Sequence, residues 1–130
     1  MKNSYGFGKP VTYTFDASIN KVIEELKKQG FGVLTDIDVA ATVKKKLDKT
    51  IPPYRILGAC NPQLAHQALE IEPSIGLLLP CNVVVRQDES NQVHVEFMDP
   101  DAVLKLVNNP RIKSLSHEVK QRLEKVMQAL

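Results

Sequence analysis

The 130-residue sequence has little of what disulfide-stabilised, secreted or membrane-bound proteins depend on. Two cysteines are too few for a disulfide scaffold. No apolar run approaches the roughly 20 residues that a membrane-spanning helix needs. The segment MKNSYGFGKP lacks both the apolar core and the small-residue cleavage site of a signal peptide. These absences favour a cytoplasmic protein with reduced thiols and no membrane association.

The sequence is also poor in aromatic residues and nearly balanced in charge. Aromatic residues make up 5% of the chain, tryptophan is absent, and the formal net charge is only +2. The one dense basic stretch, VKKKLDK at residues 43–49, is typical of a solvated helix face. No aromatic residues alternate with these lysines to stack on bases. We therefore expect no nucleic-acid partner.

The residues that are present alternate between strand-like and helix-like periods. With 43% hydrophobic residues, a chain of this length can bury its own core, which predicts one domain over residues 1–130. The order β-α-β-α-β-α-β-β-α-α predicts an α+β fold with two layers, a mixed sheet of about five strands covered by helices. The final helix is expected over about residues 112–129. The predicted strands span residues 9–15, 31–37, 54–60, 75–85 and 92–98.

Polar residues in front of the apolar helical stripes predict where helices begin. Pro62 and Pro100 suit the first helical position directly after two of these residues. Gly30 can adopt the left-handed conformation that ends many helices. The predicted N-caps are Asp16 or Ser18, Asp38, Asn61 and Asp99.

Two Cys-Asn pairs, in YRILGACNP at residues 54–62 and LLLPCNVVV at residues 77–85, fall near predicted strand ends. If the third and fourth strands are parallel neighbours in a right-handed β-α-β unit, six residues from Tyr54 reach Cys60 and six from Ile75 reach Cys81. Both cysteines would then lie at one level, with the same side-chain parity, at the carboxyl end of the third strand. Ligands bind at that edge in open α/β sheets.

The sequence therefore predicts that the two Cys-Asn pairs line one small polar pocket. Its ligand-binding candidates are Cys60, Asn61, Cys81 and Asn82. The pocket would lie beside the N-terminus of the third helix, where backbone N–H groups and a partial positive charge favour anions. No cofactor follows from these residues.

Catalytic and metal chemistry find little support in the sequence. No G-x-S-x-G, P-loop or G-x-G-x-x-G motif occurs, and no acid–base pair is suggested, so catalytic residues stay unknown and a non-enzyme is favoured. Cys60 at a helix N-terminus is either an activated thiolate or a small hydrophobic residue. Cys60 and Cys81 without a third ligand do not make a zinc site, but a linear two-thiolate copper(I) site stays open.

Four blocks of the sequence, in order, resemble the domain-of-unknown-function family 302. They are GFGVLTDIDV, YRILGACNP, EPSIGLLLPCNVVV and the MDP after the predicted hairpin, and the resemblance covers about residues 10–107. It implies a small two-layer α/β domain of bacteria or archaea, commonly dimeric and without an established activity. Many members of the family lack cysteine at the positions of Cys60 and Cys81.

Three functional classes follow from the sequence. The favoured one is a non-catalytic domain that binds or senses a small molecule or anion. The second is a thiol, redox or soft-metal protein that uses Cys60 and Cys81 for copper or zinc. The third is a homo-oligomeric interaction module whose partner surface is the final helix. A homodimer is expected because a long apolar strand has few charges to protect a sheet edge.

Overall fold

The computed structural model describes residues 1–130, and its five strands form one sheet in the order β1-β5-β4-β3-β2. All four strand pairs are antiparallel. Two short 3-10 helices, Pro73–Leu78 and Lys105–Val107, supplement the main elements. These elements are β1 (Gly6–Val11), α1 (Phe15–Lys28), β2 (Gly32–Asp38), α2 (Val39–Leu47), β3 (Tyr54–Cys60), α3 (Pro62–Ile71), β4 (Cys81–Gln87), β5 (Val93–Met98), α4 (Pro100–Leu104) and α5 (Pro110–Gln128).

Helices α1 and α5 cover one face of the sheet and form the main core with it. Alternation along the strands turns Leu57 of β3, Val83 of β4 and Phe97 of β5 toward these helices, and each is at most 1% exposed. A second apolar cluster lies beyond the sheet, where Ala68, Ile75, Leu104 and Ile112 meet. The fold is α+β, as predicted. None of its helices combines the length and the apolar character needed to cross a membrane.

The prediction of a mixed sheet with parallel third and fourth strands is wrong. The apolar run from Ile75 does not form one strand, because Pro73–Leu78 is a 3-10 helix and β4 begins only at Cys81. Helix α3 leads the chain away from the end of β3, and the 3-10 helix brings it back to the same end. Strand β4 therefore starts beside the end of β3, with Cys81 opposite Ala59, and runs antiparallel to it.

The local signals predicted element boundaries with mixed success. Strand β1 ends at Val11, earlier than predicted, and Thr14 caps α1 in place of Asp16 or Ser18 by accepting a hydrogen bond from the Ala17 N–H at 3.2 Å. The caps at Asp38 and Asp99 are confirmed. Strand β3 has its predicted bounds, and the β4–β5 hairpin is confirmed. Gly30, at φ 84°, adopts the left-handed conformation expected of it.

Candidate functional site

A cavity of about 350 Å³ lies where β3 ends and β4 begins, bordered by α3 and α5. Fourteen of its 19 lining residues are hydrophobic, and none carries a charged side chain. Binding pockets for small molecules have this size and apolar character, with a few polar groups that orient the ligand. A cavity thus lies at the sheet edge where the sequence predicted a pocket, but its wall is mainly apolar rather than polar. Its wall includes Thr35, Cys60, Asn61, Leu64, Ala65, Cys81, Ser116 and Val119.

The structure brings Cys60 and Cys81 together at the carboxyl end of β3, where both line the cavity. Their proximity agrees with the prediction, but the register behind it does not. Cys81 lies opposite Ala59, and Cys60 is the next residue along β3. Since successive side chains of a strand point to opposite faces, the two cysteines have opposite parity rather than the predicted shared parity. Cys81 is buried in the main core, whereas Cys60 is half-buried.

Burial keeps both thiols protonated at neutral pH. It raises the pKa of the Cys60 thiol above its ordinary value. Burial, together with the charge that an ionised Cys60 would carry, raises the pKa of Cys81 to about 12. Because the thiolate is the nucleophile and the metal ligand, these shifts oppose an activated cysteine at the N-terminus of α3. The two thiols act here as small, soft parts of the cavity wall.

Asn61 caps α3 and also contributes to the cavity. Its Oδ1 accepts a hydrogen bond from the Leu64 N–H at 3.2 Å, and Pro62 occupies the first turn as predicted. Its Nδ2 group donates no hydrogen bond to the protein and keeps some accessible surface. This amide lies against Gly30, where an added Cβ would come within 2.9 Å of Nδ2. Asn61 therefore lies on the cavity wall with an amide NH2 group that donates no hydrogen bond within the protein.

Asn82 does not join the other predicted site residues. It lies opposite Gly58 in the sheet, one residue beyond Cys81, and its side chain is exposed outside the cavity wall. Of the four predicted residues, three therefore line the cavity: Cys60, Asn61 and Cys81. The change in strand direction explains this result, because it places only the first residue of β4 beside the end of β3.

Two polar wall residues had no signal in the sequence. Thr35 of β2 extends its Oγ1 over Gly58, where a Cβ would collide with it. Ser116 of α5 is 2% exposed, and its Oγ lies 2.9 Å from both an Asp101 carboxylate oxygen and the Lys113 carbonyl. Ser116 is thus engaged with the protein, whereas Thr35 has no such partner. The apolar wall residues have no sequence signal that separates a cavity wall from a packed core.

The two cysteines are the available metal ligands at this site. No group of three or more His, Cys, Asp or Glu side chains converges anywhere in the chain. A two-thiolate site for a soft metal would have to remove both protons from thiols whose pKa values burial raises. The arrangement therefore favours binding by shape and apolar contact over coordination.

The two cysteines are expected to stay unlinked under mild oxidation of the folded protein. Their side chains start from opposite faces of the sheet, and a disulfide requires Cβ atoms roughly 3.5–4.5 Å apart. Peptide mapping by mass spectrometry should recover two free thiols, while the same oxidant on the urea-unfolded chain supplies the control. A Cys60–Cys81 peptide from the folded protein would contradict this geometry.

Replacing Asn61 by Ala should destabilise the fold by about 0.5–2 kcal/mol, because the helix loses the acceptor for the Leu64 N–H. Urea denaturation gives the free energy of unfolding. Asn61→Ser is the matched control, since serine is a good N-cap yet lacks the amide donor. Equal stability of the Ala variant and the unchanged protein would show that the cap contributes nothing.

Comparison with known proteins agrees with this architecture. The chain matches the sequence model of the family described as "Domain of unknown function DUF302" over residues 7–130. Its structure is similar to the crystal structure of an uncharacterized conserved DUF302 protein from Bacillus stearothermophilus. The two share 27% sequence identity and a TM-score of 0.89, over 95% of this chain and 96% of the other. No curated protein matches the chain. The chain therefore belongs to the DUF302 family, whose function is unknown.

Proposed function

We propose that this protein is a non-catalytic binding or sensing domain whose ligand is a small, uncharged molecule with an apolar body. The observation that carries the proposal is the cavity of about 350 Å³ without a charged side chain on its wall. An apolar ligand gains about 25 cal/mol for each Å² of surface that it withdraws from water. The cavity can cover this ligand surface with apolar side chains of α3 and α5 and of the adjoining ends of β3 and β4.

An anionic ligand fits this wall less well than a neutral one. Desolvating a charge is costly unless an opposite charge or several hydrogen bonds compensate for it. The wall includes no lysine, arginine or histidine, and its two thiols resist ionisation because burial raises their pKa values. The N-terminus of α3 offers some positive potential, but Asn61 already satisfies the Leu64 N–H there. The Arg122 guanidinium lies near the Asn61 amide but outside the cavity wall, and it donates a hydrogen bond to the Gln29 carbonyl at 3.2 Å.

Two polar groups give the cavity a means of orienting its ligand. The free Nδ2 of Asn61 is a donor, and the hydroxyl of Thr35 donates or accepts. A ligand with a carbonyl or ether oxygen at one end of an apolar body would match this pair. Such an arrangement binds and positions a molecule, while nothing on the wall is suited to transfer its protons.

A matched pair of fluorescent probes tests the proposal. N-phenyl-1-naphthylamine is neutral, and 8-anilinonaphthalene-1-sulfonate has the same ring system with one negative charge. We expect saturable binding of one neutral probe per chain and a rise in melting temperature by mass action. The sulfonate should bind at least tenfold more weakly. Equal affinity for the two probes, or a signal from the neutral probe that never saturates, would contradict the proposal.

We further propose that the protein is a homodimer in the cytoplasm of a bacterium or archaeon. The support for the dimer is apolar surface left uncovered on the second strand and helix. Leu34 is 67% exposed, Ile37 50% and Leu47 63%. Apolar residues left exposed on consecutive elements support an interaction surface in this part of the chain.

A further inference from the structure

The cavity follows two helices for about two turns each. On α3 its wall runs from Asn61, the cap residue, to Leu69, and on α5 it runs from Ile112 to Val119. In both helices the wall residues repeat at the i, i+3, i+4 and i+7 positions that share one face. At roughly 1.5 Å of rise per residue, such a face extends about 10 Å. The cavity is therefore long in the direction of the helix axes.

The two helices run past the cavity in opposite directions. Ala68, near the end of α3, belongs to the second apolar cluster together with Ile112, near the start of α5. Asn61 follows directly on β3, and Val119, further along α5, packs against the main core of the sheet. The cavity therefore has one end beside the sheet and another end in the second apolar cluster.

These two ends differ in polarity. The wall groups that form no hydrogen bond within the protein, the Asn61 Nδ2 and the Thr35 hydroxyl, both belong to the sheet end, since Thr35 pairs with Gly58 of β3. At the other end, Leu104 and Ile112 are 6% and 1% exposed and bring no polar side chain. Ser116 lies between the ends, but its hydroxyl is bonded within the protein. A ligand thus meets hydrogen-bonding groups at one end and apolar contacts at the other.

The wall between these ends is aliphatic and suits a narrow ligand. Phe31 is its one aromatic residue, so stacking on a flat ring system is available at a single position. On α3 the small side chains of Ala65 and Ala68 leave the space between the helices. Packed helices lie roughly 8–10 Å apart, axis to axis, which makes such a space a narrow passage. A flexible chain can follow this passage, whereas fused rings keep a fixed width.

We infer that the ligand is a straight-chain aliphatic molecule with a neutral, oxygen-bearing head group, whose chain lies along α3 and α5 and whose head lies at Asn61 and Thr35. This inference rests on the proposed function and specifies the chemical class of the ligand. An alcohol, aldehyde, ester or amide head supplies an oxygen that accepts a hydrogen bond from the Asn61 amide. Because Thr35 is exposed, the head keeps contact with water while the chain leaves it.

Primary alcohols from 1-hexanol to 1-dodecanol test the inference by displacing the neutral naphthylamine probe from the full chain. Affinity should rise roughly fourfold with each methylene group, as its transfer from water requires, and should level off once the chain fills the cavity. Decahydro-2-naphthol has the carbon count of 1-decanol in two fused rings. After each affinity is divided by the octanol–water partition coefficient of the alcohol, 1-decanol should exceed this ring alcohol at least tenfold.

The variant Ala68→Leu should shorten the passage at its apolar end. We expect affinity to level off at a shorter chain than in the unchanged protein, with 1-decanol bound at least tenfold more weakly and 1-hexanol bound equally well. A general loosening of the fold would instead weaken every alcohol alike. The matched control is Ala17→Leu, on an exposed face of α1 outside the cavity wall, which should keep the chain-length profile of the unchanged protein.

Failure of the inference differs from failure of the proposed function. If neither the naphthylamine nor any alcohol binds, the proposed function fails and the inference fails with it. If the probe binds but the corrected affinity of the ring alcohol equals that of 1-decanol, or the folded Ala68 variant keeps the unchanged profile, the inference alone is overturned. If circular dichroism shows that the Ala68 variant is unfolded, the unchanged protein decides the question. Levelling together with preference for the chain then supports the inference, and the lack of either overturns it.

Discussion

Replacing Ala65 by Phe is expected to abolish binding of the neutral naphthylamine probe while the chain stays folded. Ala65 is half-buried on α3 and lines the cavity, so a phenyl ring at this position would occupy the space that the probe requires. We expect affinity to fall at least tenfold, which corresponds to about 1.4 kcal/mol of binding free energy. A fluorescence titration measures this affinity directly.

The control for this variant is Ala17→Phe, which makes the same change on an exposed face of α1 away from the cavity. Its probe affinity should match that of the unchanged protein. The melting temperature of the Ala65 variant should not fall by more than a few degrees, because the new ring fills an existing space rather than crowding a packed core. Undiminished binding in a folded Ala65→Phe protein would place the probe elsewhere.

Replacing Phe97 by Ala should cost about 3–5 kcal/mol of folding free energy, the largest effect on stability that we expect. Phe97 is 1% exposed on β5, which lies between β1 and β4 in the sheet. Its ring stacks on Phe7 of the adjacent strand with centroids 5.5 Å apart, and Val83 lies opposite it on the other side. The substitution removes these contacts and leaves a cavity that strands on both sides prevent from collapsing.

Chemical denaturation with urea measures the loss for the Phe97 variant. Tyr5→Ala is the control, since Tyr5 is 66% exposed and the change should stay within about 0.5 kcal/mol. A loss below 1 kcal/mol at Phe97 would contradict the assignment of the sheet centre as the packed core.

Local chemistry allowed much of the fold to be predicted. The pairs Asn61–Pro62 and Asp99–Pro100 marked helix starts, because the cap side chain and the fixed proline φ act within a few residues. The span of β3 and the β4–β5 hairpin followed from apolar alternation and a polar turn. These features depend on neighbours in sequence, which a single sequence contains.

The direction of β4 could not be predicted from the sequence. The run from Ile75 to Val85 has the same apolar character whether it forms one strand or a 3-10 helix followed by a shorter strand. That difference decides at which end of the sheet β4 begins. The cavity was likewise hidden, since Leu64 and Val119 have the spacing of core residues whether or not the helices close against each other.

The proposed function predicts a specific location for a bound apolar molecule. Crystals soaked with 1-bromonaphthalene, a neutral ring system with an anomalous scatterer, test this location most directly. We predict one strong bromine peak in the cavity between α3 and α5, close to Ala65 and Cys60. An empty cavity at a saturating soak, or bromine confined to other surfaces of the chain, would contradict the account.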